Sequence, residues 1–234
     1  MDYLSNVKGC HPKTLEFCTV IQNVYSMDTN GARQSHWDQV YSSKALEQSS
    51  WYQPRPSISL DFIQQFSIAK DAAIIDVGGG DSLLIDHLLD LGYQNISVLD
   101  ISSKALERAQ NRLGERGKAV KWICADAAQF EPAEQYDLWH DRAAFHFLTT
   151  TADIQRYAQT AAQAVKPGGF LVIGTFSEQG PKKCSGLEIT QYSEESLVHV
   201  FGSQFQKIRC HQVDHLTPTQ AIQQFIFCAF QRMG

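Results

Sequence analysis

The sequence predicts an α/β fold with a doubly wound, mostly parallel sheet. Apolar strand-like runs alternate with helical patterns between residues 58 and 201, which is typical of a parallel sheet covered on both faces. The first run ends at Asp76 before three glycines at 78–80, and the next run ends at Asp100. Glycine lets a backbone pass close to a ligand, and an acid ending the following strand can hold ribose hydroxyls. Together these features predict an adenosine-containing cofactor.

The individual elements follow from periodicity and from turn residues. Gly92 and the turn at 167–169 stop helices, and Ser102 or Ser103 is the expected cap of the helix after Asp100. The last two strands have no helix between them, so they should pair with each other or form an antiparallel edge. The predicted helices are 58–66, 82–91, 103–113, 153–165 and 193–201, and the predicted strands are 72–77, 96–99, 120–124, 136–140, 170–176, 205–213 and 224–230.

The N-terminal segment is weakly patterned. We expect residues 1–34 to be a leader of uncertain order, with Met27 as an alternative start, and residues 35–234 to form one domain. The first residues lack the basic and then apolar pattern of a signal peptide. Trp37 and Tyr41 lie four residues apart, so one helical turn would place both on one face.

Composition excludes several classes of protein. A net charge of −5 without any Lys/Arg run argues against nucleic-acid binding, and no apolar stretch is long enough to span a bilayer. The six cysteines contain no C-x-x-C pair, so no metal site is expected. We interpret Cys124, Cys210 and Cys228 as buried thiols of a reduced, cytoplasmic protein. The sequence does not indicate the oligomeric state.

The glycine spacing does not fit a dinucleotide fingerprint. That fingerprint needs a third glycine where this chain has Leu83. Asp76 would repel a pyrophosphate, but it suits a ligand with a cationic amine. S-adenosylmethionine carries such an amine and a sulfonium charge and has no phosphate. Asp126 follows the third strand, where it could reach the adenine amino group.

Asp76, Asp100, Asp126 and the turn Pro167-Gly168-Gly169 occur in order along successive strands. This arrangement resembles the class I S-adenosylmethionine-dependent methyltransferases over residues 35–230. The resemblance implies methyltransferase activity, S-adenosylmethionine as cofactor, S-adenosylhomocysteine as product, and a Rossmann-like seven-stranded sheet with its last strand antiparallel. The chain departs from the family at Ser82, where a further glycine is usual.

The resemblance also implies roles for individual residues. Asp76 would bind the methionine ammonium, Asp100 the ribose, and Asp126 with the Ala127 amide the adenine edge, while the aromatic pair would cover the methionine end. Alternatively, the glycines form only a tight turn, Asp100 caps the next helix near Ser102, and the aromatic pair belongs to the core. The predicted cofactor-binding residues are Trp37, Tyr41, Asp76, Gly78, Gly79, Gly80, Asp100, Ile101, Asp126 and Ala127.

Ionisable residues cluster where the fourth strand ends, and we predict His140, Asp141, Arg142 and His146 as catalytic residues at the acceptor end. A helix beginning at Asp141 would place Arg142 and His146 one turn apart. Either histidine could take a proton near neutral pH, and Arg142 could orient an anionic substrate. The alternative is that Asp141 caps the helix, Arg142 pairs with it, and His146 is a packing residue.

A long polar segment at 175–190 is a candidate lid. Cys184 lies there between Lys183 and Ser185. A lowered thiol pKa would suit it for binding a soft substrate. The alternative is that it is an ordinary loop cysteine.

The Asp-Arg-Ala-Ala step at 141–144 resembles the thiopurine-type S-methyltransferases, whereas protein lysine methyltransferases carry an Asp-Lys-Gly-Thr-type step. The leading hypothesis is therefore a small-molecule acceptor, a thiol or other soft nucleophile. The alternative is protein lysine methylation, for which Glu178, Glu188, Glu194 and Glu195 could form an acidic cleft. A non-catalytic cofactor-binding module is a further alternative, and the glycine spacing disfavours an NAD-dependent oxidoreductase.

Overall fold

The computed structural model describes residues 31–234. The segment before residue 31, with Cys10, Cys18 and Met27, lies outside the described residues. The first described helix, α1, covers residues 31–43. The four residues before the predicted domain boundary at 35 therefore share a helix with Trp37 and Tyr41.

The remaining elements alternate as expected. Short 3-10 helices occur at Leu46–Gln48, Gly114–Ala119 and Phe145–Phe147. The helices are α2 (Ser57–Gln65), α3 (Leu84–Asp90), α4 (Ser103–Leu113), α5 (Thr151–Ala164) and α6 (Glu194–Phe201). The strands are β1 (Ala73–Val77), β2 (Asn95–Asp100), β3 (Val120–Cys124), β4 (Tyr136–Arg142), β5 (Val165–Phe176), β6 (Lys183–Cys184), β7 (Leu187–Glu188), β8 (Phe205–Leu216) and β9 (Ile222–Arg232).

Seven strands form one sheet in the order β3-β2-β1-β4-β5-β9-β8. Strands β1 to β5 are mutually parallel, while β9 runs antiparallel between β5 and β8. The predicted Rossmann-like sheet with its last strand antiparallel is confirmed. Strands β6 and β7 form a separate small hairpin inside the segment predicted as a lid.

The helices cover both faces of the sheet. One apolar cluster joins α2, α3 and α4 to the sheet, and a second cluster joins α5 and α6 to the opposite face. All five residues of β1 are buried, as expected for a central parallel strand. The side chain of Ser102 accepts a hydrogen bond from the Ala105 amide (3.1 Å), so Ser102 is the cap of α4. Because β1 to β4 are parallel, their carboxyl ends meet at one edge of the sheet, beneath α1.

The interpretation of three cysteines as buried thiols is wrong. Cys124 is exposed, and Cys210 and Cys228 form a disulfide. The latter two residues are register partners on β8 and β9, which places their side chains side by side. Periodicity identifies strands but not their register, so no sequence pattern indicated this bond. Disulfides are typical of oxidising compartments, so the cytoplasmic location stays a prediction. Within residues 31–234, no helix is long and apolar enough to cross a membrane.

Candidate active site

A cavity opens at the carboxyl ends of β1 to β4. Of the predicted cofactor residues only Gly80 is absent from its lining, and of the predicted catalytic residues His140 and Arg142 line it. Asp141 and His146 lie behind the cavity wall. The cofactor-side residues in the lining are Trp37, Tyr41, Asp76, Gly78, Gly79, Asp100, Ile101, Asp126 and Ala127.

Asp76 is held in the floor of the cavity by a buried histidine. The Nδ1 of His140 donates to Oδ1 of Asp76 (2.7 Å) because the two residues are register partners on β4 and β1. With the proton on Nδ1, the Nε2 of His140 accepts from the Ser59 hydroxyl of α2 (2.9 Å). The second carboxylate oxygen, Oδ2, is buried and has no hydrogen-bond partner among the described residues. Asp76 therefore keeps one acceptor available for a cationic ligand.

Two glycines of the turn after β1 are required by backbone geometry and by space. Gly78 and Gly80 have φ values of +64° and +49°. A Cβ at Gly78 would lie 2.2 Å from the Cβ of Ala144, and one at Gly80 would lie 2.4 Å from the Tyr41 hydroxyl. Gly80 thus lies against Tyr41, which covers the cavity, and Gly80 itself does not line the cavity. Both positions favour glycine because positive φ is costly for other residues.

Asp100 is buried at the end of β2. Its Oδ1 accepts a hydrogen bond from the Ser102 amide (2.8 Å). The pKa of Asp100 is raised to about 7, by burial first and then by the carboxylates of Asp81 and Asp76, against backbone hydrogen bonds from Ser102 and Gly80. The contact with Ser102 matches part of the alternative role, but the side chain of Ser102, and not that of Asp100, caps α4.

Asp126 is already paired in this structure. Its Oδ1 accepts from the Ala128 amide (2.8 Å), and its Oδ2 accepts from Nη1 of Arg33 (3.1 Å). The other terminal nitrogen of Arg33 donates to Asp153 at the start of α5 (2.9 Å). Arg33 thus links α1 to the predicted adenine site. No sequence motif marks it.

Helix α1 forms the roof of the cavity. The rings of Trp37 and Tyr41 lie 6.2 Å apart, and Trp37 also contacts Trp51 and Phe147. Asp38 accepts from the Ser102 hydroxyl (2.7 Å), which fixes α1 to the start of α4. The predicted aromatic face is confirmed by this packing, and it lines the cavity as well.

The chain does not enter a helix at Asp141, so the placement of Arg142 and His146 one helical turn apart, which depended on such a helix, is wrong. Strand β4 continues through Arg142, and Ala143 has a φ of +69° before the single turn Phe145–Phe147. Asp141 accepts from the Ala144 and Phe145 amides (3.0 and 3.1 Å) and from the Tyr157 hydroxyl (2.6 Å). Burial raises its pKa to about 6. Asp141 therefore caps a single turn, and Arg142 and His146 do not share a helix face.

His146 is fully buried and stacks on Phe176 at 4.5 Å. Neither ring nitrogen has a hydrogen-bond partner within residues 31–234. Burial and the nearby charge of Arg142 lower its pKa to about 3, so the ring is neutral. This geometry matches the packing alternative for His146.

Cys184 is buried on β6 and lines the cavity. Burial raises the pKa of its thiol, although Ser185, Ser50 and Arg142 oppose this effect. The expectation of a lowered pKa is therefore wrong. The neighbouring Lys183 instead pairs with Glu188 (2.6 Å) across the hairpin.

Sequence reasoning missed several residues of the cavity. Ser59 supports His140, and Phe225 of β9 contributes an aromatic wall. Trp51 contributes through its backbone carbonyl, which accepts from Arg142 (3.0 Å). These contacts join segments far apart in the chain, so no local pattern could have indicated them.

Comparisons with known proteins agree with this geometry. Residues 74–169 match the family model described as a methyltransferase domain. The chain is 22% identical over 179 residues to the eEF1A lysine and N-terminal methyltransferase of Mus musculus, covering 76% of this chain and 24% of that protein. It is 33% identical over 107 residues to the malonyl-[acyl-carrier protein] O-methyltransferase of Anoxybacillus flavithermus, covering 45% and 39%. The chain spans less than half the length of either relative.

A solved structure extends the likeness to nearly the whole chain. It is the Burkholderia thailandensis 1,6-didemethyltoxoflavin-N1-methyltransferase with bound 1,6-didemethyltoxoflavin and S-adenosylhomocysteine. The TM-score is 0.61 at 15% identity, covering 98% of this chain and 94% of that one. The predicted methyltransferase domain is confirmed over residues 74–169, and the solved structure has the same fold. The likeness to thiopurine-type enzymes stays a prediction.

Proposed function

We propose that this protein binds S-adenosylmethionine and transfers its methyl group to a small-molecule acceptor. The observation that carries the proposal is the unpaired, buried Oδ2 of Asp76, a residue that lines the cavity and that we assign to the methionine ammonium. A buried acceptor without a partner is costly, and a cationic ligand would relieve that cost.

The acidic side chains at the strand ends suit each part of the cofactor. Asp76, Asp100 and Asp126 follow one another along the ends of β1, β2 and β3, matching ammonium, ribose and adenine in turn. The three carboxylates suit a ligand that is cationic and carries no phosphate. When bound, the cofactor supplies an electrophilic methyl group on a sulfonium.

The chain contributes mainly by positioning and by excluding water. Trp37, Tyr41 and Trp51 form an aromatic roof over the cavity. Holding two reactants in line can contribute ~7–11 kcal/mol to a reaction. His140 lines the cavity, but both of its ring nitrogens are in hydrogen bonds, and His146 lies behind the wall. An acceptor that needs little help in losing a proton, such as a thiol, suits this site best.

Protein lysine methylation is the second candidate, and the activity of the mouse relative, an eEF1A lysine and N-terminal methyltransferase, favours it. The predicted acidic cleft has weaker support. Glu188 pairs with Lys183, Glu194 pairs with Lys207, and none of the four proposed glutamates lines the cavity. A concave cavity under an aromatic roof favours a small acceptor.

Binding of S-adenosylmethionine, S-adenosylhomocysteine and NAD to the purified chain, measured by calorimetry, tests the cofactor. We expect micromolar affinity for the first two and none for NAD. The Asp76→Asn variant removes the charge and is the matched control, so its affinity should fall. Binding of NAD alone, or of no ligand, would overturn the proposal.

Transfer from radiolabelled S-adenosylmethionine in a cell extract separates the two acceptor classes. Label in the small-molecule fraction supports the proposal, and label in protein bands supports the lysine alternative. A parallel reaction with Asp76→Asn identifies label that comes from other enzymes.

A further inference from the structure

Arg142 carries a guanidinium that is only partly used. Its Nη1 donates to the carbonyl of Trp51 (3.0 Å). Its Nε and Nη2 are buried and have no hydrogen-bond partner among the described residues. No carboxylate in that part of the chain lies within salt-bridge distance of it. The side chain nevertheless lines the cavity.

The surroundings of Arg142 do not neutralise its charge. Its guanidinium carbon lies 5.0 Å from the centre of the Phe225 ring. The nearby His146 and His215 both have lowered pKa values, through burial first and through Arg142 second. Burial also keeps Cys184 a thiol by raising its pKa. The carboxylate of Asp76 acts on Arg142 at longer range, but it is hydrogen-bonded to His140.

A buried, uncompensated cation with free donors is costly for a protein to keep. Burial lowers the pKa of Arg142 to about 10, which still leaves the group charged at neutral pH. The two free nitrogens, Nε and Nη2, form one edge of the planar guanidinium. That edge matches the two oxygens of a carboxylate in a bidentate pair.

We propose that Arg142 binds a carboxylate of the methyl acceptor through its free Nε–Nη2 edge. This inference rests on the proposed function and narrows it, because it selects acceptors that carry an anionic group next to an apolar body. Phe225 and Trp51 supply the apolar walls of that subsite.

The cofactor has a carboxylate of its own, which is the competing source of the same chemistry. The three predicted cofactor acids lie on the β1–β3 side of the sheet, whereas Arg142 packs toward Phe225 on β9. Arg142 lies on β4, next to β1, but its guanidinium packs away from β1 against the Phe225 ring. The direction of the guanidinium therefore favours the acceptor as the source.

Calorimetry with simple carboxylates tests the subsite while S-adenosylhomocysteine is saturating. The probes are benzoate, 3-mercaptopropionate and the neutral benzamide. We expect at least one carboxylate to bind the wild type about tenfold or more tightly than it binds Arg142→Gln. Benzamide should not distinguish the two proteins. Arg142→Lys, which keeps the charge but loses the bidentate edge, should be intermediate.

Arg209→Gln is the matched control. Arg209 also lies over an aromatic ring, that of Phe62 (3.8 Å), and its Nε is also buried without a partner, but it does not line the cavity. This variant should bind the carboxylates as the wild type does. Thermal unfolding of each variant shows that the compared proteins are folded.

Two outcomes overturn the inference. In the first, neither carboxylate binds the wild type, or both bind Arg142→Gln equally well. In the second, Arg142→Gln binds S-adenosylhomocysteine about tenfold less tightly but binds 5′-methylthioadenosine normally, which assigns Arg142 to the cofactor's carboxylate. Failure of the wild type to bind S-adenosylhomocysteine at all would instead contradict the proposed function.

Discussion

The two halves of the cavity carry opposite charge. The cofactor half, formed by the ends of β1, β2 and β3 under α1, holds the buried acids Asp76, Asp100 and Asp126. The acceptor half, formed by the end of β4, by β9 and by the segment at Trp51, holds Arg142 among neutral groups. Among the described residues that line the cavity, an oxygen of Asp76 and an edge of Arg142 are buried without a hydrogen-bond partner. The site is thus arranged for a cationic ligand beside an anionic one.

The largest expected difference between the halves concerns two buried histidines. Replacing His140 by leucine leaves Asp76 and the Ser59 hydroxyl without their hydrogen bonds. Each lost partner costs ~1–3 kcal/mol, so we expect the free energy of unfolding to fall by ~2–6 kcal/mol. Urea denaturation measures this loss.

His146→Phe is the counterpart in the acceptor half. The His146 ring makes no hydrogen bond in the described structure and stacks on Phe176, so phenylalanine should change the stability by less than about 1 kcal/mol. Equal losses in His146→Phe and His140→Leu would contradict the distinction between a positioning histidine and a packing histidine.

Asp100→Ala should weaken the binding of S-adenosylhomocysteine by ~1.5–3 kcal/mol, or about 10- to 150-fold, because it removes the proposed ribose contacts. Calorimetry measures the affinity. Asp86→Ala is the control, since Asp86 pairs with Arg112 outside the cavity and its loss should leave the affinity unchanged. An unchanged affinity in Asp100→Ala would remove Asp100 from the cofactor site.

The pH dependence of stability and of cofactor affinity tests the role of Asp100 in a second way. The pKa of Asp100 is raised to about 7, so the folded chain keeps a proton that the unfolded chain releases near pH 4. The stabilisation of the folded chain by this proton is complete below the pKa that Asp100 has in the unfolded chain, and it is lost as the pH rises through about 7. Cofactor affinity should change in the opposite sense, increasing about tenfold from pH 6 to pH 8 as the carboxylate ionises.

Asp100→Asn should remove the pH dependence of affinity. Asp141, whose pKa is raised to about 6, also titrates in this range, but it lies behind the cavity wall. Its contribution should therefore appear in the stability of both proteins and not in the affinity. A tenfold pH effect that persists in Asp100→Asn would place the titrating group elsewhere.

The two halves differ in how far the sequence could predict them. The cofactor half depends on strand ends and on glycine turns, which are local features, and its residues lie at the predicted edge of the sheet. The acceptor half depends on contacts between distant segments, such as Arg142 with Trp51 and with Phe225. In the acceptor half, only the ionisable residues at the end of β4 form a motif that can be recognised in the sequence.

Two errors have specific physical reasons. In a sequence, an aspartate that can accept hydrogen bonds from the backbone amides after it indicates a long helix and a single turn equally well. Asp141 caps only a single turn. The disulfide of Cys210 and Cys228 depends on the register of β8 and β9, which neither periodicity nor cysteine spacing specifies.

The smallest expected effect concerns the ion pair of Arg33 and Asp126 in the cofactor half of the cavity. Arg33 of α1 occupies Oδ2 of Asp126, where we propose that adenine binds, and its side chain is 34% exposed. Because the Arg33 side chain is partly exposed, solvent screens the pair, and we expect a contribution of ~0.2–1 kcal/mol. Arg33→Gln should therefore increase the affinity for adenosine-containing ligands by no more than about fivefold, because the competitor for the carboxylate is removed. Arg156→Gln is the control, since Arg156 approaches Asp153 at 4.0 Å and does not line the cavity. If Arg33→Gln instead weakens binding, the pair acts with the ligand present, as a latch that holds α1 over the cofactor.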